Sequence, residues 1–120
     1  MANTIYLMKT ASFEPNTVYY KVGFTSNILK RIKPYITHNP STILLQTVTT
    51  YEKTGRQLEK DIHKEIEQKG LNFEKDKFLN IKSEWFQVNT TSEFYKDIEK
   101  NGLKAFKSCK QRKTIEWCNR

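Results

Sequence analysis

A chain of 120 residues with 37% hydrophobic and 28% charged residues has the size and composition of one globular domain with one modest core. Its formal charge of +8 and pI near 9.5 favour a polyanionic partner, nucleic acid first among them. The sequence has no apolar run long enough to span a bilayer and MANTIYLMK is no signal peptide; its two cysteines, with no CxxC or His-x-x-x-His spacing, make neither a disulfide framework nor a zinc site. An intracellular protein, cytoplasmic or nuclear, is expected.

In chain order, NTIYLMK (3–9) alternates as a strand, with Ile5 and Leu7 on one face and Tyr6 and Met8 on the other. Pro15-Asn16 marks a loop. VYYKVGF (18–24) is a second strand, with Val18, Tyr20 and Val22 opposite Tyr19, Lys21 and Gly23. If the two strands pair with their apolar faces together, Tyr6 and Lys21 share the remaining face. Thr25 or Ser26 then caps a helix over about 27–36, with Ile28, Leu29, Ile32 and Ile36 as its apolar stripe and Arg31 at the stripe's border. Pro34 should stop the regular helix near Lys33. TILLQTVTTY (42–51) is a third strand.

The next helix carries Leu58, Ile62 and Ile66 at four-residue spacing, with Thr54 and Gln57 matching a capping box and Gly70 at its end. Glu59 lies at the edge of its buried face and His63 one turn further along that edge. Residues 71–83 read as a long loop, 84–88 as a short extended segment, and Ser92 as the cap of a last helix with Phe94 and Ile98. The expected architecture is α/β: a three-stranded, mainly antiparallel sheet flanked by helices, in a domain over residues 1–103. Residues 104–120 form a basic tail, with Lys104, Lys107, Lys110, Arg112, Lys113 and Arg120 against Glu116. Packing of Phe106, Ile115 and Trp117 on the domain is the alternative for this tail.

The ordered set Thr4-Ile5-Tyr6, Lys21-Val22-Gly23, Arg31 eight residues after Gly23, and Gln57-Leu58-Glu59 with His63 resembles the GIY-YIG nuclease superfamily over about residues 4–88. With Glu84-Trp85-Phe86, it resembles a small-domain branch frequent in phages and large DNA viruses. Thr4 stands where the superfamily's first motif has glycine, and Lys21 where its second motif has tyrosine. The resemblance implies a GIY-YIG-like fold and a metal-dependent endonuclease that hydrolyses DNA phosphodiester bonds.

Phosphodiester hydrolysis requires an activated water, a cation on the scissile phosphate and help for the leaving oxygen. Glu59 is the candidate ligand for Mg²⁺ (or Mn²⁺), with water filling most of the shell. Arg31 is the phosphate clamp. Tyr6, its phenol made more acidic by Lys21, is the proton acceptor, and His63 an assisting acid or base; Lys21 on phosphate is the alternative. Lys21, Lys30, Arg31, Lys33, Lys104, Lys107, Lys110, Arg112 and Lys113 are the candidate DNA contacts. Each residue also has a purely structural reading: a packed strand tyrosine, solubilising lysines, an ordinary i,i+4 Glu–His pair. Two rival functions are carried beside the nuclease: a non-catalytic nucleic-acid-binding module of the same fold, and a small protein-interaction domain. The residues leave open whether one copy or a homodimer acts on the two strands.

Overall fold

The computed structural model describes residues 3–12, 14–71, 73–75, 82–110 and 115–118. Strand β1 (Asn3–Ala11) and strand β2 (Thr17–Thr25) form a hairpin in which Leu7 pairs with Val22, Tyr6 with Gly23 and Met8 with Lys21. Its turn contains Asn16 at φ 61°, a left-handed conformation that asparagine tolerates better than most residues. Helix α1 (Ile28–His38) follows, then β3 (Ile43–Thr50), helix α2 (Glu52–Gln68), β4 (Phe73–Lys75), β5 (Lys82–Asn89), helix α3 (Glu93–Asn101), two 3₁₀ turns (Gly102–Ala105 and Lys107–Cys109) and β6 (Ile115–Trp117).

The sheet order is β4-β5-β2-β1-β3-β6, and its pairings are antiparallel. The α/β class and the antiparallel hairpin are as expected, but among the described residues the sheet has six strands, not three. β5 is not an isolated extended segment; it pairs with β2 along Thr17–Lys21. The expected loop over 71–83 contains β4, although much of that stretch lies outside the described residues.

One face of the sheet holds the core. Ile5 and Leu7 of β1, Tyr20 and Val22 of β2, Val48 of β3 and Phe86 of β5 cluster with Leu58, Ile62 and Ile66 of α2 and Ile98 of α3. The strand period of two and the helix period near four thus deliver the same set of apolar side chains to one layer. Lys9 of β1 and Glu99 of α3 form a half-buried ion pair at the margin of that layer. Within β3 the register jumps between Leu7 and Met8 of its partner, making Leu45 the extra residue of a bulge.

Three local expectations are corrected. The cap of α1 is Asn27, whose side chain accepts the Lys30 N–H at 3.1 Å; Thr25 instead accepts the Asn27 N–H one step earlier. α1 also runs through Pro34 to His38, closed by the Asn39 N–H on the Tyr35 carbonyl. Proline removes only the bond to the carbonyl of Lys30, an exposed residue of the helix. α2 begins at Glu52, before the Thr54–Gln57 pair, and its Tyr51 cap makes no side-chain bond. Gln57 donates instead to Asp61 at 2.9 Å. The reason for the early start is Gly55: a Cβ there would stand 2.5 Å from Phe24 Cε2 and 2.6 Å from Thr50 Cγ2, so glycine lets the first turn of α2 close against β2 and β3.

Residues 104–110 are no detached tail. Leu103, Ala105, Phe106 and Cys109 are buried in the core, and Phe94 meets Phe106 edge to face at 5.7 Å. Gln46, itself buried, accepts the Leu103 N–H at 2.6 Å, and Glu65 of α2 accepts the Lys107 and Ser108 N–H groups at 2.7 and 3.0 Å. Ile115 and Trp117 of β6 pack against the same core, so packing accounts for these apolar residues.

Candidate active site

The second face of the sheet presents Tyr6 and Met8 of β1 beside Gly23 and Lys21 of β2, as their register requires. α1 lies over this face. Its Tyr35 ring meets the Trp85 ring of β5 at 5.9 Å and 77°, and the Lys21 Nζ stands 5.3 Å from the centre of the same tyrosine ring. Lys21 is therefore 4% exposed, not a solvated surface charge. Tyr6 is 1% exposed and fills the space that a side chain at position 23 would need.

Beyond Lys21, β2 outruns its pairing with β5. Helix α2 takes over at this open edge. His63 Nε2 lies 2.8 Å from the Val22 carbonyl oxygen. A carbonyl only accepts, so Nε2 carries the hydrogen, which in a neutral ring leaves Nδ1 as the acceptor. Two turns earlier, Gly55 is seated against Phe24. Glu59, half-buried, lies midway between the two along α2. Tyr6 approaches Gly23 from the sheet, and Glu59 lies on α2 between the two residues by which that helix meets β2.

Arg31 is exposed on α1. It lines an open hollow of about 420 Å³ past the end of β2, bounded by the Thr25–Asn27 turn and by Lys30, Pro34 and Tyr35. The structure thus brings Tyr6, Lys21 and His63 to the last residues of β2, with Arg31 past its end and Glu59 on the helix that carries His63. The proposed DNA contacts are not gathered. Lys30 and Lys33 are exposed on α1, over the second face. Lys104, Lys107 and Lys110 are exposed on the turns after α3, of which Lys107–Cys109 packs with α2. Arg112 and Lys113 lie outside the described residues, as does the side chain of Glu84.

Tyr35 and Trp85 are the residues that sequence reasoning overlooked as partners of Lys21. The signal was present: Tyr35 is one turn from Arg31, and Trp85 stands directly across from Lys21 once β5 pairs with β2.

Among the described residues no three His, Cys, Asp or Glu side chains converge to hold a metal ion. This donor set does not suit a protein-caged zinc. Mg²⁺ is commonly bound through one or two carboxylates together with water and substrate phosphate, a shell to which Glu59 could contribute one carboxylate. No helix among the described residues is long and apolar enough to cross a membrane.

No curated protein and no solved structure matches the chain. The T5orf172 domain model does match, over residues 3–112, a span that includes the candidate site and runs on into the buried turns after residue 103. The match supports a nuclease-like domain with a nucleic-acid-related role. The chain belongs to the T5orf172 domain family, a phage-associated family related to nuclease-type folds.

Proposed function

We propose that this protein is a metal-dependent endonuclease of GIY-YIG type that hydrolyses DNA phosphodiester bonds. The observations that carry the reading are Tyr6 closing onto Gly23 and the His63–Val22 tie of the helix that bears Glu59, with the Arg31 hollow past the end of β2. Glu59 is the residue to hold Mg²⁺ or Mn²⁺. When bound, the ion supplies positive charge against the phosphate and makes a coordinated water more acidic.

The side chains have separable tasks. Arg31, with its planar fork of donors, binds the non-bridging phosphate oxygens and offsets the negative charge that grows in the transition state. The Tyr6 hydroxyl handles the proton of the attacking water. Lys21 holds Tyr35, and with it α1, against the sheet, and its buried charge raises the positive potential beneath the phosphate. His63, donating from Nε2 to the Val22 carbonyl, fixes the turn of α2 that bears Glu59.

A second reading, a nucleic-acid-binding module without catalysis, draws support from the near-complete burial of Tyr6, because a phenol that handles a water proton must be reached by water. Incubation with plasmid and branched DNA, with Mg²⁺ or Mn²⁺ and in parallel with a chelator, separates the two. The nuclease reading requires chelator-sensitive nicking or linearisation. The binding reading requires retarded but intact DNA in every lane.

A further inference from the structure

We infer that the hollow beside α1 is a nucleotide subsite: it seats one nucleotide of the strand next to the scissile phosphate, with Lys30 on its phosphate and the Tyr35 ring against its base or sugar. The inference rests on the proposed DNA substrate and adds a binding site to it.

Three features converge. First, the lining changes in chemistry along α1. Lys30 and Arg31 supply cations, and one turn further on Pro34 and Tyr35 supply an apolar ring surface. A free phosphate uses only the cations, whereas a nucleotide uses both. Second, α1 (ILKRIKPYITH) contains no acidic residue, so no carboxylate repels an anion along this wall. Third, Tyr35 is held in place before any ligand arrives, by Trp85 at its edge and the Lys21 ammonium against its ring. A prearranged ring loses little side-chain freedom on binding. The hollow, at about 420 Å³, falls in the size range of small-ligand sites. Base–aromatic stacking is tolerant of sequence, so the subsite would position a strand without selecting a base.

The test is an equilibrium titration of the full chain with a thymidine tetranucleotide in the presence of a chelator. It is read by tryptophan fluorescence, since Trp85 adjoins Tyr35, and repeated across a salt series. Tyr35→Leu should weaken binding on the order of tenfold, and Tyr35→Phe should bind like the wild type because the ring remains. Lys30→Gln should flatten the slope of log affinity against log salt by about 0.7, the single-strand value for one phosphate. Inorganic phosphate at equal concentration should compete poorly; full competition would reduce the hollow to an anion site and overturn the proposal. So would wild-type affinity and slope in both Tyr35→Leu and Lys30→Gln. If Tyr35→Leu fails to fold, Lys30→Gln, on an exposed residue, decides alone. A protein that binds through these residues but never cuts DNA contradicts the nuclease reading and leaves the subsite standing. A nuclease indifferent to both substitutions does the reverse.

Discussion

The ring of Tyr6 occupies the side-chain space of Gly23 on the neighbouring strand: a Cβ on Gly23 would stand 2.3 Å from the Tyr6 hydroxyl oxygen and 2.4 Å from Cζ. The two residues are direct partners in the β1–β2 ladder, and the ring is almost fully buried, with little room to retreat. Gly23→Ala should therefore cost about 1–3 kcal/mol, as overpacking does, and should reduce cleavage by more than the loss of folded protein explains. Thermal melting beside a nicking assay on the folded fraction checks both parts. An alanine variant that melts and cuts like the wild type would show that the ring does not lie there.

Glu65 gives a stability that depends on pH. Burial alone would raise the pKa of this carboxyl, but hydrogen bonds from the Ser108 hydroxyl and from the Ser108 and Lys107 N–H groups outweigh it, with help from Lys69, and hold it below the ordinary 4.5. A depressed carboxylate stabilises the fold above its unfolded-state pKa, and that contribution is lost as pH falls through the folded-state value. Melting temperature measured against pH should show wild type above Glu65→Gln near neutrality, with the gap narrowing from about pH 4.5 downward. A gap that stays constant into acid would remove the carboxylate's charge from the explanation.

The turns after α3 are part of the fold, so Phe106→Ala should cost about 3–5 kcal/mol, the usual range for a fully buried phenylalanine. That is a large fraction of the 5–15 kcal/mol typical of a domain. Lys104→Gln and Lys110→Gln, on exposed residues of the same segment, should leave the denaturant midpoint nearly unchanged. Truncation after Gly102 should unfold the chain. A folded truncation would return this segment to the status of a tail.

Much of the scaffold was legible in the sequence because its elements are periodic. Alternation in β1 and β2 put Tyr6 and Lys21 on one face, and Leu58, Ile62 and Ile66 marked the buried stripe of α2. What escaped lacks a local signal. The three residues of β4 or of β6 hold no period, and they are strands only because β5 and β3 offer an edge. The charge of residues 104–113 masked the apolar positions Ala105 and Cys109 and left the packing of Phe106 an alternative only; two 3₁₀ turns bring all three inward. Capping chemistry pointed to Thr54 for α2, but the close approach of Gly55 to Phe24, a tertiary contact, set the register. For the site, the sequence supplied the residues and their order. It did not reveal that Lys21 is buried beneath Tyr35, nor that His63 is tied to the Val22 carbonyl, since both depend on how helices settle on the sheet.

Under the proposed function, that tie gives His63 the part of a positioning residue. His63→Ala should remove the bond to Val22 and loosen the turn that bears Glu59, at a cost of about 1–3 kcal/mol if the carbonyl is left without a donor. His63→Gln, which can still donate to the carbonyl, should restore most of the stability and most of the cleavage rate. Melting and single-turnover cleavage of the two variants test this. Equal loss of rate in both, with stability intact in His63→Gln, would assign the imidazole a direct part in proton transfer instead.

The most direct measurement is metal-dependent cleavage of plasmid DNA by Glu59→Gln compared with wild type, with circular dichroism establishing that both are folded. The substitution removes one charge at nearly constant volume. The account predicts chelator-sensitive nicking by the wild type and a folded variant whose rate has fallen by at least 10²-fold, on the order of 3 kcal/mol in the barrier. Wild-type cleavage by folded Glu59→Gln, with the same dependence on Mg²⁺, would contradict it.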